Sequence, residues 1–487
     1  MSFRKGLLNK IACAGFLMVC TASAGELQEK LVFSGFVSME GGQFVKFKYQ
    51  AVDYLHQWLQ KNLLGLGINT TVHPRVNLSL NVVGSLTYNT MPRPDVNLLS
   101  AANAFLSPLT GFSLDRAEIM LNLSPEVQDS LLKISIGIFP YKYNSEVRNL
   151  GEYLFRSGAY PGYIDQGGFD APFAQIAGIQ ATVNLFDRWR NDLLLTSELW
   201  QPPYNDFSVT YLTDVSIVKK VFDIGGGIQF YRCFPVDPNQ TQPKVMSPMQ
   251  PSFAAPNYWG RTLDSIGFDS ATMSTIFDTT YGGWYTYAGT KLMARFTFDP
   301  KPLLGLDIFG AEDMKLYSEV AILGLKNYPA NPNQDGNTNL PVNQFGYDKL
   351  IQKMPIMVGF NFPAFKLLDV LSLEIEYYGK KYVNAVPIPF NQTSWYYPAP
   401  PLSYYTWSPP VSDPTYADEF YAQRVFQWKW SVYAKRTLFN RFTITAQAAR
   451  DHIRNTISGV ATGNFDREEA LVKAKHWYWM VKFGCNF

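Results

Sequence analysis

Long apolar runs, cysteines and histidines are all scarce in this chain of 487 residues. Downstream of residue 24, no apolar run is long enough to form a membrane-spanning helix. Of the four cysteines, only Cys233 and Cys485 lie beyond that point, and two such residues indicate neither a disulfide framework nor a metal cluster. The sequence therefore predicts no bound metal and no cofactor.

An excess of charge of either sign is also missing. The chain has 42 basic and 40 acidic residues, and without residues 1–24 the basic residues number 39. A chain so close to neutrality gives no reason to expect nucleic acid as a partner. The four histidines have no Ser, Asp or Glu at a spacing that marks a nucleophile site. The sequence therefore predicts that the protein is not an enzyme.

The first 24 residues have the pattern of an export signal. Basic residues, an apolar stretch and a small-residue cleavage site follow one another as Arg4, Lys5, Lys10, residues 11–20 and Ala22-Ser23-Ala24. Cys20 leaves open acylation as a lipoprotein, although Val19 is bulkier than the residue that usually precedes such a cysteine. We expect residues 1–24 to be removed as a signal peptide and residues 25–487 to form one domain.

Short segments in which apolar and polar residues alternate run through the rest of the chain, and about 16 can be recognised. The clearest covers residues 75–88, where one face carries Val76, Leu78, Leu80, Val82 and Leu86. The other face is polar, so one side suits lipid and the other suits water. In an exported chain with 15% aromatic residues and no membrane helix, such strands can meet lipid only as a closed barrel, because backbone polar groups must be paired inside hydrocarbon.

Residues 476–487 also alternate, and they end on an aromatic residue. One face of this segment carries Trp477, Trp479, Val481, Phe483, Cys485 and Phe487. A chain that ends on such a strand resembles the outer-membrane β-barrel proteins of Gram-negative bacteria. The resemblance implies a location in the cell outer membrane, contact with its lipid and lipopolysaccharide, and recognition of the last strand by the barrel assembly machinery. The assembly signal is assigned to Trp477, Trp479, Phe483 and Phe487.

The spacers between the alternating segments are short and long by turns. The short ones include residues 73–74, 124–130, 187–188, 219–220, 364–369 and 438–440. The long ones cover residues 41–63, 89–115, 141–172, 232–284, 324–353, 379–424 and 451–475. Short periplasmic turns and long extracellular loops are typical of outer-membrane barrels. The sequence therefore predicts an all-β fold, a closed antiparallel transmembrane β-barrel of about 16 strands.

A lumen of that width holds water, so the sequence predicts a passive, porin-like channel for small hydrophilic solutes. Residues 25–30 leave no room for a plug domain before the first strand, so energised uptake is not expected. The resemblance to general porins implies that the third long loop, Tyr141 to Ala171, folds inward and narrows the channel. The residues assigned to this constriction are Arg148, Glu152, Arg156 and Asp165.

The alternation also assigns charged side chains of both signs to the lumen wall: Arg75, Glu118, Lys133, Lys291, Arg295, Glu319, Glu374, Glu376 and Lys429. Each is equally consistent with half of a buried ion pair that stiffens the wall. Because both signs occur in comparable number, ion preference does not follow from composition. The solute and the oligomeric state, including a homo-oligomer, stay open as well.

Residues 383–418 contain many Trp and Tyr residues separated by prolines, which keep the rings apart. Exposed rings of this kind suit sugar binding. They leave open a different class of function, a structural or adhesive outer-membrane barrel whose aromatic loops bind a polysaccharide surface. Packing of the rings on one another as a rigid lid would explain the same residues. A third hypothesis, a transporter of hydrophobic compounds that opens laterally, rests on the aromatic content alone.

Overall fold

Sixteen antiparallel strands close into a barrel in the computed structural model of the chain. Each strand pairs with its neighbours in sequence, and the first strand pairs with the last. The strands are β1 Leu31–Lys46, β2 Trp58–His73, β3 Val76–Tyr88, β4 Leu109–Asn122, β5 Leu132–Tyr141, β6 Ala174–Leu185, β7 Trp189–Ser197, β8 Phe207–Val218, β9 Phe222–Phe234, β10 Gly289–Phe298, β11 Leu316–Ile322, β12 Ile356–Asn361, β13 Val370–Tyr377, β14 Trp428–Leu438, β15 Phe442–Arg450 and β16 Trp477–Asn486. The predicted fold class and strand number are confirmed.

The structure describes residues 31–46, 48–49, 52–53, 58–88, 109–124, 131–155, 174–186, 188–197, 207–218, 221–234, 265–269, 274–277, 289–322, 354–377, 428–451, 454–456, 466–469 and 474–487. The predicted signal peptide, Cys20, the segment 25–30 and the aromatic loop 383–418 lie outside these residues. Cys233 and Cys485 are not disulfide-bonded. No helix in the described part of the chain is long and apolar enough to cross a membrane.

The wall has an apolar outer face and a polar inner face. On β13, Ile375 is 43% exposed, whereas Glu374 and Glu376 on either side of it are 0% and 1% exposed. On β3, Leu80 points outward and is 45% exposed. Successive side chains of a strand point to opposite faces, so the alternation in the sequence is enough to predict which residues lie on the outer face and which on the inner face.

The connections on the two rims differ in length, as the sequence predicts. One rim carries short turns, among them residues 74–75, 186–188 and 439–441. The other rim carries the longer connections, of which residues 142–173 are the third. One connection on the short-turn rim is long: residues 299–315 join β10 to β11 and contain a four-residue helix, α1 Lys301–Leu304, which the sequence did not predict.

Two predicted spacers differ most from the structure at their ends. Strand β1 continues to Lys46 and β2 begins at Trp58, so the connection is shorter than residues 41–63. Gly41 and Gly42 break the apolar alternation but still pair with both neighbouring strands. A Cβ at Gly42 would lie 2.5 Å from the carbonyl oxygen of Trp479, so glycine permits this close approach. Likewise, β4 begins at Leu109, inside the predicted spacer 89–115.

The barrel closes where β1 meets the end of the chain. The N–H of Gly35 donates to the carbonyl of Phe487 at 2.8 Å, and the N–H of Phe487 donates to the carbonyl of Gly35 at 2.9 Å. Lys482 on β16 also forms an ion pair with Glu40 on β1, with a distance of 3.1 Å between Nζ and Oε1. The first and last strands are therefore joined by backbone and side-chain contacts.

Candidate functional site

The described part of the third connection, residues 142–155, lies inside the barrel and is called the inserted segment below. Its Tyr153 hydroxyl donates to Glu376 on β13 at 2.9 Å, and its Leu154 carbonyl accepts from Nζ of Lys291 on β10 at 3.3 Å. These partners occupy inward-facing, buried positions of their strands. The segment therefore packs against the inner wall.

Glu374 on β13 binds the backbone of the inserted segment. Its two carboxylate oxygens accept the N–H groups of three consecutive residues, Arg148 at 2.5 Å, Asn149 at 2.8 Å and Leu150 at 2.7 Å. The hydroxyl of Tyr317 on β11 adds a fourth hydrogen bond at 3.0 Å. Hydrogen bonds to an ionised acceptor are about twice as strong as neutral ones, so a buried carboxylate can hold a segment of irregular backbone.

Glu319 on β11 binds the two ends of the same segment. It accepts the Tyr143 hydroxyl at 2.6 Å and the Asn144 side-chain amide at 3.0 Å. It also accepts the backbone N–H groups of Glu152 at 3.0 Å and Tyr153 at 2.8 Å. A single carboxylate thus joins the start of the segment to its end.

The turn that brings these ends together needs an unusual backbone. Gly151 has φ +86° and Glu152 has φ 61°, both in the left-handed region that favours glycine. The carboxylate of Glu152 is buried and accepts the N–H of Asn144 at 2.6 Å. Glu152 therefore lies inside the barrel, and its carboxylate closes the turn within the segment.

Glycines in the wall let long side chains reach across a strand. Tyr317, Gly359 and Glu374 are directly opposed on β11, β12 and β13. The Tyr317 ring lies over Gly359, where a Cβ would be 2.1 Å from its Cε2 atom. Gly225 on β9 lies in the same way between Arg295 and Asp214, which form an ion pair at 2.5 Å. In both places the missing side chain of glycine leaves room for a long side chain to reach a charged residue two strands away.

Filling the space beside Tyr317 is expected to destabilise the barrel. Gly359→Val would push the Tyr317 ring away from Glu374, and overpacking of this kind costs about 1–3 kcal/mol. Gly226→Val is the matched control, because a Cβ at Gly226 meets no atom nearer than 3.7 Å. Thermal unfolding of both variants checks this, and equal melting temperatures would contradict the role given to Gly359.

Four charged side chains join the inserted segment to the connection 299–315. The guanidinium of Arg148 lies 2.5 Å from Glu312, and Nζ of Lys315 lies 3.2 Å from Glu146 and 3.0 Å from Glu312. Burial works against the charge of Glu312, but Lys315 and Arg148 outweigh it and lower the pKa of this carboxyl. Burial is likewise outweighed at Lys315, whose pKa is raised by Glu146 and Glu312. Both groups of the Glu312–Lys315 pair therefore stay ionised at neutral pH.

Four of the predicted wall charges are directly opposed on neighbouring strands. Arg295 faces Glu319, Glu319 and Glu376 both face Met357 on β12, and Glu376 faces Lys429. The row reads basic, acidic, apolar, acidic, basic from β10 to β14. The sequence predicted these residues one at a time, whereas the register brings them together.

The remaining predicted residues fall in several places. Glu118 is buried on β4 beside Arg116, and Lys133 and Lys291 face inward on β5 and β10. Arg75 was wrongly placed on a strand, because the chain reverses at Pro74–Arg75 and β3 begins only at Val76. Arg156 and Asp165 lie outside the described residues, so their part in a constriction stays a prediction.

The four residues of the assembly signal lie on the last strand. Trp479 packs edge-on against Trp58 and Trp477 packs against Trp430, with ring centroids 6.1 Å apart in both pairs. Phe483 and Phe487 are exposed on the outer side. Their recognition by the barrel assembly machinery stays a prediction.

Two buried aspartates were missed. Asp192 on β7 accepts the hydroxyls of Tyr141 at 2.8 Å and Thr182 at 2.6 Å. Asp451, just after β15, accepts the amide of Asn149 at 2.8 Å and the hydroxyl of Tyr478 at 2.6 Å. The alternation of residues 189–197 could have indicated Asp192, whereas Asp451 follows its strand and has no periodic signal.

The fold and the inserted segment define a closed 16-stranded barrel partly filled by one of its own connections. No protein-family model and no curated protein matches the chain. Among solved structures it is similar to OprB of Pseudomonas putida, with a TM-score of 0.47 and 8% identity over 94% of this chain and 95% of that chain. It is also similar to a triple mutant of the Rhodopseudomonas blastica porin, with a TM-score of 0.40 and 7% identity over 94% of this chain and 100% of that chain. At identities this low, no residue role is transferred to this chain.

Proposed function

We propose that the chain is an outer-membrane channel through which small hydrophilic solutes diffuse passively. A barrel of about 16 strands encloses more space than its own side chains fill. The observation that carries the proposal is a connection that enters this space and is bound there by Glu319 and Glu374. A segment that is held inside the barrel takes up part of the lumen and narrows the passage.

The outer face supports a position in lipid. Apolar side chains such as Leu80 and Ile375 are exposed on it at mid-strand, where water would be an unfavourable neighbour. A lipid environment removes this cost, and the sixteen described strands pair in a closed ring that leaves none of them with an unpaired edge. The compartment proposed is the outer membrane, since closed barrels of this kind are found there.

Reconstitution in planar lipid bilayers tests the proposal. Purified protein that shows the heat-modifiable gel mobility of a folded barrel is expected to insert with stepwise increases in conductance. Folded protein that inserts without conductance would contradict a channel. That result would favour instead the structural barrel whose aromatic loops bind a polysaccharide.

Reversing the charge of Arg148 is expected to change ion preference. Arg148→Glu keeps the backbone N–H that binds Glu374 but places a negative charge in the inserted segment. Charges in a narrow, poorly screened opening act strongly on passing ions, so the reversal potential in a salt gradient should shift toward cations. Lys366→Glu, at the exposed turn between β12 and β13, makes the same change of charge away from the passage. Equal reversal potentials in the two variants would place Arg148 outside the permeation path.

A further inference from the structure

Charges of both signs are buried in the inner wall, since the basic residues Lys291 and Lys429 are 0% and 3% exposed. Glu319, Glu374 and Glu376 are 0%, 0% and 1% exposed beneath the inserted segment. In three ion pairs elsewhere on the wall, the base is more exposed than the acid. The base and the acid are exposed by 32% and 6% in Arg116–Glu118, by 50% and 5% in Arg190–Asp192, and by 23% and 6% in Lys482–Glu40.

One part of the wall has several basic residues at directly opposed positions of neighbouring strands. Lys61 on β2 and Lys482 on β16 both face Glu40 on β1, and Lys482 and Lys435 both face Thr445 on β15. Lys61, Lys435 and Lys482, called the basic row below, thus lie along the neighbouring strands from β14 to β2, with the buried Glu40 between Lys482 and Lys61. All three occupy inward-facing positions, and none is buried.

Other ion pairs run the other way. Glu312 is more exposed than its partners Arg148 and Lys315, by 30% against 18% and 15%. Asp214 is more exposed than Arg295, by 33% against 9%. However, Asp214 is directly opposed to Arg190 on β7, whose side chain is half exposed. Asp223 on β9 faces inward beside Asp214 and is half-buried, so this part of the wall has no excess of accessible base, and the anion preference is assigned to the basic row alone.

We propose that the passage prefers small anionic solutes, an inference that rests on the channel function proposed above. Glu319 and Glu376 are directly opposed to Arg295 and Lys429, so their charge is offset within the wall, whereas the basic row has three bases and one acid. Bases that reach into the lumen attract anions directly, and low-dielectric walls focus the field along the passage. The chain has nearly equal numbers of basic and acidic residues, but the accessible charges of the basic row are mostly positive.

Reversal potentials in planar bilayers test this proposal with potassium chloride as the probe. In a salt gradient the reversal potential of the unmodified protein should be displaced toward the equilibrium potential of chloride. The variant Lys61→Gln, Lys435→Gln, Lys482→Gln should lose most of this preference. The variant Arg188→Gln, Lys366→Gln, Arg441→Gln removes the same charge from exposed turns on the short-turn rim and should keep it.

A second measurement needs no variant. Raising the salt from about 0.1 M to about 1 M shortens the Debye length from about 10 Å to about 3 Å, so the chloride preference of the unmodified protein should shrink. Channels that prefer potassium, or that treat both ions alike at low salt, would overturn the inference and leave the channel function standing. Equal effects of the two triple variants would also overturn it. Folded protein without any conductance would overturn both proposals.

Discussion

Replacing Glu319 and Glu374 together with glutamine is expected to loosen the inserted segment and raise the single-channel conductance severalfold. These two carboxylates accept five backbone N–H groups of the segment, those of Arg148, Asn149, Leu150, Glu152 and Tyr153. Hydrogen bonds to charged groups contribute about 1.5–3 kcal/mol each. Glutamine has one acceptor oxygen, and its NH2 group would face the backbone N–H groups of the segment. Several of these hydrogen bonds are therefore lost.

Single-channel recording checks this expectation through the mean conductance and the noise of the open state. Glu118→Gln is the matched control, since Glu118 is a buried wall carboxylate that pairs with Arg116 at 3.7 Å rather than with the segment. Because removing buried acceptors also lowers stability, melting temperatures should be measured in parallel. If the folded double variant conducted like the control, the segment would not limit flow.

A lysine on the outer wall is expected to be far more damaging than a lysine one residue away. Leu80→Lys places a charge on the exposed apolar face of β3 and should cost about 2–4 kcal/mol in a bilayer. Ser79→Lys places the same charge on the inner face, where residue 79 is directly opposed to Glu118. Attraction to this carboxylate should make the inner substitution tolerable.

The free energy of unfolding in phospholipid vesicles, obtained from urea titrations, compares the two lysine variants. A difference seen in vesicles but reduced in detergent would show that the bilayer is the source of the penalty. Equal stability of Leu80→Lys and Ser79→Lys in vesicles would mean that the inside and outside faces of β3 are assigned the wrong way round.

Local patterns predict the wall of this protein well. The alternation along a strand such as β3 or β16 depends only on which face meets which solvent, so the sequence carries it directly. The ends of β1 and β2 were harder, because Gly41 and Gly42 have no side chain to show a phase. Their strand conformation is determined by pairing with β16 and β2. The four-residue helix α1 in the connection 299–315 has no periodic signal and was missed for that reason.

The site was predictable only in part. Glu319, Glu374 and Glu376 could be assigned to the inner wall from alternation alone. Their partners could not, because the hydrogen bond between Arg148 and Glu374 joins residues separated by 226 positions. The match between an irregular segment and a wall depends on the register of several strands at once. The left-handed conformation of Glu152 likewise follows from that docking, since the residue type does not favour it.

The wall binds the inserted segment mainly through the main chain of the segment. The position of the segment is therefore partly independent of the side chains that it presents. A substitution at residue 148, 149 or 150 to anything but proline leaves in place the N–H group that Glu374 accepts. The route of the segment through the barrel therefore depends on the strands more than on a side chain such as that of Arg148, which forms its ion pair with the connection 299–315. In the channel proposed above, a point mutation at such a side chain would therefore change the solute preference while the backbone of the segment keeps its place.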